Sequence, residues 1–297
     1  MNYKLVTALL ATTFFVTGCG TSTEGNGNNS SSYSISYTGL TTPAVLSEEN
    51  IQDVVRESTS SIRSIVYGDY YSGITVLLES NDESDNTIED DCLGSDGIAE
   101  FTGSRYNGSM VFNDYCKEIG GRDITVNGGM TYLYSNDIFD FHYSDLIMEV
   151  VDDIVKIDGR TSEFFNDDDS SDTLTEIEVT INGVNQIVNH TTFCTADYVC
   201  VQDSTVQNSD SSVNQFENLD RFGGPTRVYD FTSTFYSHSY GHVELVASDL
   251  VLTCANGNIS GGDLAITDDN LNTLNVVFND CNTMTMTFTG VSEIVDQ

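Results

Sequence analysis

Residues 174–194 read LTEIEVTI-NG-VNQIVNHTTFC. Ile177, Val179 and Ile181 alternate with Glu176, Glu178 and Thr180, the period-two pattern of a strand with one buried face. Asn182-Gly183 supplies the residues that a tight hairpin turn with positive φ favours. The run that follows, to Cys194, reads as the returning strand. The same grammar extends in both directions. IAEFTGSRY (98–106) and GSMVFNDYC (108–116) flank Asn107-Gly108, and DITVNGGMTYLYS (123–135) carries a second such signal at Asn127-Gly128-Gly129. Residues 140–151, 153–165, 227–237, 242–254, 263–267 and 273–281 continue the series, which TMTMTFTG (283–290) closes. Many strands joined by short polar turns, with no intervening helices, predict a mainly β fold. It is an antiparallel meander, curved into an open sheet or incomplete barrel.

One helix precedes the strands. In SEENIQDVVRESTSSIRSIV (47–66), Ser47 is placed to cap, and Glu48 and Glu49 suit the positive first turn. Ile51, Val54, Val55, Ile62, Ile65 and Val66 share one face at helical spacing, which should dock on the sheet. ITVLLES (74–80) reads as a short strand and the acidic NDESDNTIEDD (81–91) as a loop. The expected β-rich domain spans 47–297. It reads as two related halves, 67–165 and 174–290, because Cys92…VFND…Cys116 resembles Cys254…VFND…Cys281.

Seven cysteines leave an odd one. Hairpin geometry brings Cys92 near Cys116 and Cys254 near Cys281, each pair at the base of its own hairpin, and Cys194 and Cys200 bracket a tight loop. Pairing 92–116, 194–200 and 254–281 accounts for six, as an oxidising compartment favours.

The seventh, Cys19, sits in the order Lys4, an uncharged apolar stretch over residues 5–16, then Val16-Thr17-Gly18-Cys19. The apolar stretch has the length of a signal-peptide h-region and is too short to span a bilayer. This order resembles the lipobox of bacterial lipoproteins. The resemblance implies cleavage after residue 18, acylation of Cys19 and a durable membrane anchor. With Gly20 after the cysteine it implies the outer membrane, on either face. Residues 19–46 are then the acylated cysteine and a tether, of which 20–32, GTSTEGNGNNSSS, has almost no apolar content.

With 46 acidic against 10 basic residues and a formal charge of −36, the chain repels nucleic acid and anionic headgroups. The expected partners are the membrane through the anchor, an envelope protein, or a lipid. No nucleophile elbow, zinc-protease motif, P-loop or dinucleotide fingerprint occurs, so no catalysis and no resident cofactor are expected. Two constellations remain as candidate metal sites. Asp167, Asp169, Ser171 and Glu178 fall at positions 1, 3, 5 and 12 of a calcium loop whose sixth position, normally Gly, is Asp172. His238 and His242 flank Ser239-Tyr240-Gly241. A three-residue turn there would face the two imidazoles across a hairpin and could hold a transition metal. The strand-spaced aromatics Tyr132, Tyr134, Phe139, Phe141, Tyr143, Phe231 and Phe235 are read chiefly as core. The expected role is structural or interactive. The alternatives are a binding module or carrier that encloses an apolar ligand such as a lipid between helix and sheet and, ranked below it, a hydrolase without a recognisable motif.

Overall fold

The computed structural model describes residues 33–79, 87–89, 92, 96–104, 106–119, 122–150, 153–166, 168, 170–196, 200–222, 228–252, 254 and 258–297. Helix α1 (Ile51–Glu79) is followed by β1 (Thr87–Glu89), β2 (Ile98–Ser104), β3 (Asn107–Ile119), β4 (Arg122–Ser135), β5 (Ile138–Val150), β6 (Asp153–Phe165), β7 (Ser171–Ile181) and β8 (Val184–Cys194). Then come β9 (Cys200–Gln207), β10 (Val213–Phe222), β11 (Val228–Ser237), β12 (Gly241–Val251), β13 (Gly261–Thr267), β14 (Thr273–Phe278), β15 (Thr283–Phe288) and β16 (Val291–Asp296). The strands form one antiparallel sheet in sequence order, so β1 and β16 are its two edges and the sheet does not close.

Alternation places every second residue on one buried face. In the hairpin of residues 174–194, Ile177 pairs with Val188 and both are fully buried, as are Val179 and, on β9, Val206. The inner residues of β2–β15 and one face of α1 make a single apolar cluster. Ile51, Val54, Val55, Ile62 and Ile65 are buried as their spacing predicts. Ser64 of the helix bonds to Gln186 on β8, while its neighbour Arg63 lines a groove with Phe278 on β14 and Met284 on β15. A flat sheet would hold β8 and β14 about 29 Å apart at the usual strand spacing. The sheet therefore curls around the helix.

The curl has a repeated device. Asp114, Asp145, Asn218 and Asp249 lie inside strands with positive φ, each at a register shift. Each N–H, lost to the ladder, donates to a side-chain oxygen on a neighbouring strand. The acceptors are Asn127 (2.9 Å), Asp158 (2.7 Å), Asp203 (2.8 Å) and Asp230 (2.6 Å). The residue after each bulge, Tyr115, Leu146, Leu219 or Leu250, turns into the core. Bulges bend strands and increase twist. Asp114 and Asp145 are as far apart in sequence as Asn218 and Asp249, so the two pairs bend the sheet with the same period.

Several expectations are corrected. Residues 74–79 continue α1 rather than forming a strand, and Thr87–Glu89, inside the expected acidic loop, pairs with β2 as an edge strand. Asn107-Gly108 begins β3, because Ser104 pairs with Asn107. Asn127-Gly128-Gly129 is a bulge inside the continuous β4, with Gly128 at φ +100. The Asn50 side chain accepts the Ser47 N–H at 2.9 Å and Ser47 O accepts the Ile51 N–H at 3.2 Å, so Ser47 and Asn50 together close the turn that enters α1. Besides β1, three further strands, β9, β10 and β16, lie outside the segments that alternation predicts. The final part of the expected tether is docked instead: Ala44 and Leu46 are buried, the Ala44 N–H donates to His242, and the Tyr37 hydroxyl donates to Ser237. The two VFND segments also differ. The first runs through a bulge and on along β3, while the second ends β14 and enters a turn.

Candidate functional site

The three expected cysteine pairs come together. Cys92–Cys116, Cys194–Cys200 and Cys254–Cys281 are disulfides with Cα–Cα distances of 5.6, 4.1 and 5.4 Å. Cys194 and Cys200 are register partners that close β8 onto β9. Cys254 precedes β13 and Cys281 follows β14, so their bond ties the base of that hairpin. Cys92, Cys116 and Asp123 lie together as metal ligands would, but the disulfide consumes both thiols. Cys19 lies outside the described residues.

The calcium constellation is not assembled. Asp167 and Asp169 lie outside the described residues. Ser171 and Glu178 both sit on β7, roughly 23 Å apart along the strand and on opposite faces. The stretch is turn chemistry. Asn166 N–H donates to Ser170 O at 2.9 Å, and Asp168 Oδ1 accepts the Ser170 N–H (3.1 Å) and hydroxyl (2.6 Å). Those bonds hold the Asp168 carboxyl below its usual pKa. Asn208, Asp210 and Ser212 repeat the arrangement between β9 and β10. Acidic residues here serve as turn acceptors.

The histidines do not face each other. Ser237 pairs with Gly241, so the loop is His238-Ser239-Tyr240, one residue earlier than the expected turn, with Gly241 at φ +93. His238 Nδ1 accepts the Val213 N–H at 3.4 Å. His242 turns the other way. Its Nδ1 lies 3.3 Å from the Thr41 carbonyl and its Nε2 3.6 Å from Asp269 Oδ1.

Other groups were not singled out by the sequence. His190 is buried on the inner face of β8, between Thr175 and Ser204, and its Nδ1 has no hydrogen-bond partner among the described residues. Burial lowers its pKa from 6.5 to about 4, so it is neutral. Ser58, Ser61 and Ser64 make a fully buried polar seam on α1, with Asn214 donating to Ser61 at 3.1 Å. On the flank of α1 beside β14 and β15, Arg56 and Arg63 overhang a groove of about 230 Å³ floored by Ile259, Phe278 and Met284. The expected aromatics are mostly core: Tyr132, Phe141, Tyr143, Phe231 and Phe235 are buried, and Phe139 stacks on Phe141 at 4.7 Å.

The sheet also ends on an apolar edge. Among the described residues β16 pairs only with β15, and its Val291 and Ile294 are 65% and 73% exposed. An edge strand of this kind presents unpaired N–H and C=O groups to another chain. The opposite edge, β1, has three residues.

No protein-family model, curated protein or solved structure matches this chain.

Proposed function

We propose that this is a non-catalytic interaction protein of the bacterial envelope. On this reading it is anchored in the outer membrane through acylated Cys19, and it holds an extended segment of another envelope protein along β16. The single observation that carries the reading is the unpaired β16 edge with its exposed Val291 and Ile294. Strand addition gives affinity through main-chain hydrogen bonds and specificity through alternate side chains. Glu293 and Asp296 on the edge, within a chain of charge −36, favour a partner strand carrying Lys or Arg over a second copy of the same chain. Among the described residues, the inner face of the sheet and one face of α1 pack into one apolar cluster, which supports the interaction reading over a carrier enclosing a bulky lipid.

Hydrogen exchange on the anchored protein in its native membranes tests the docking. The amides of residues 291–296 should exchange more slowly there than in the purified protein, and Ile294→Lys should erase the difference. Equal exchange in both settings overturns the β16 assignment. The anchor is tested separately: Cys19→Ser protein should leave the membrane fraction, and its retention overturns that part alone.

A further inference from the structure

The chain has few cations, yet two of them line one groove. Arg56 and Arg63, two turns apart on α1, fall on one stripe of the helix. Opposite them lie Ile259, Phe278 and Met284, only 2%, 3% and 2% exposed. Among the described residues no Asp or Glu lines the groove, although acidic residues outnumber basic ones 46 to 10 in the chain. Three other polar side chains of the lining already have partners. The Thr59 hydroxyl donates to Val55 O at 2.8 Å, Asn258 Nδ2 to Cys281 O at 2.9 Å, and Gln297 Nε2 to Ile259 O at 2.9 Å. Among the described residues, the Arg56 guanidinium has no carboxylate within ion-pair distance.

We propose that the groove binds a small amphiphilic carboxylate, with its head on Arg56 and its short apolar chain over Phe278 and Met284. A guanidinium matches a carboxylate with two parallel hydrogen bonds, and Arg63 adds a second positive charge to the same wall. The floor is apolar, so an alkyl chain laid on it loses its water contact without stranding a polar group of the floor. The volume of about 230 Å³ falls below the ~300–1,000 Å³ of sites that take drug-sized ligands, which selects a short chain over a diacyl lipid. The groove does not depend on strand addition at β16, since neither Arg56 nor Phe278 takes part in that edge.

The test uses the full chain reconstituted in phosphatidylcholine vesicles and octanoate labelled with ¹³C at the carboxyl, with binding read from the carboxyl shift. Octanoate should bind saturably and more tightly than acetate or methyl octanoate. Arg56→Gln, at an exposed position, should leave the melting curve unchanged and weaken octanoate binding by about 10-fold or more, the loss of one charged hydrogen-bonding partner. Acetate binding as tightly as octanoate would reduce the groove to a plain anion site. Methyl octanoate binding as tightly would remove the role of charge. Unchanged affinity in Arg56→Gln, or displacement of octanoate by vesicles containing phosphatidylglycerol, would likewise overturn the assignment to a free carboxylate.

Discussion

The backbone N–H of Leu46 donates a 3.0 Å hydrogen bond to Asp268 Oδ2, joining residues 222 positions apart. The same carboxylate accepts the N–H groups of Asn270 and Asn272, each at 2.9 Å, and so closes the β13–β14 turn. One side chain thus fixes both a hairpin and the entry of the chain into α1.

Asp268→Ala should cost about 2–3 kcal/mol, because a buried backbone donor loses a charged acceptor. Burial alone would raise the Asp268 pKa, but the Asn272 side chain and the Leu46, Asn272 and Asn270 amides outweigh it and lower it. Its folded pKa lies below its unfolded one, so its contribution is complete above the ordinary carboxylate pKa of about 4. That contribution is lost as pH falls further. Urea titrations from pH 7 to pH 3 should show Asp268→Asn with a shallower acid limb than the parent protein.

Gly128 and Gly183 both have positive φ, +100 and +84, but only Gly128 is crowded. A Cβ at 128 would lie 2.2 Å from the Asp145 carbonyl oxygen, whereas one at 183 meets nothing within 4 Å. Gly183→Ala should cost about 1–2 kcal/mol, the ordinary penalty of the left-handed region. Gly128→Ala should cost clearly more, because a bulge backbone must move as well. Equal losses in chemical denaturation would mean that the bulge is not rigid.

His190 supplies a second acid effect with its own window. A buried base with a pKa lowered from 6.5 to about 4 binds its proton more readily when the chain unfolds. Stability is therefore intact above about pH 6.5 and falls by about 3 kcal/mol as the pH drops to about 4. His190→Leu should flatten stability over that window without altering the limb below pH 4 that Asp268 controls.

The hairpin grammar was legible wherever alternation was strong. Ile177 and Val179 pair as their spacing implies, and each disulfide follows because a hairpin brings its own flanks together. Misreadings arose where one chemistry has two uses. Asn127-Gly128 carries the positive φ that a turn needs, but β4 spends it on a bulge. Residues 74–76, Ile-Thr-Val, have β propensity that the helix overrides. β10 lacks a clear apolar alternation because Asn214 occupies an inward position and is satisfied by Ser61 on α1. The groove could not be read, because Arg56 and Phe278 meet only after the sheet has curled.

A sheet in which every strand pairs with its sequence neighbour closes only short loops, so pairing can advance hairpin by hairpin at small entropic cost. The exception is α1. Val54, Val55, Ile62 and Ile65 wait for strands synthesised much later, and Leu46 waits for Asp268. A chain emerging amino end first carries its most apolar helix face uncovered until the sheet behind it is nearly complete. That helix is the segment left open longest to any chaperone that meets the nascent chain.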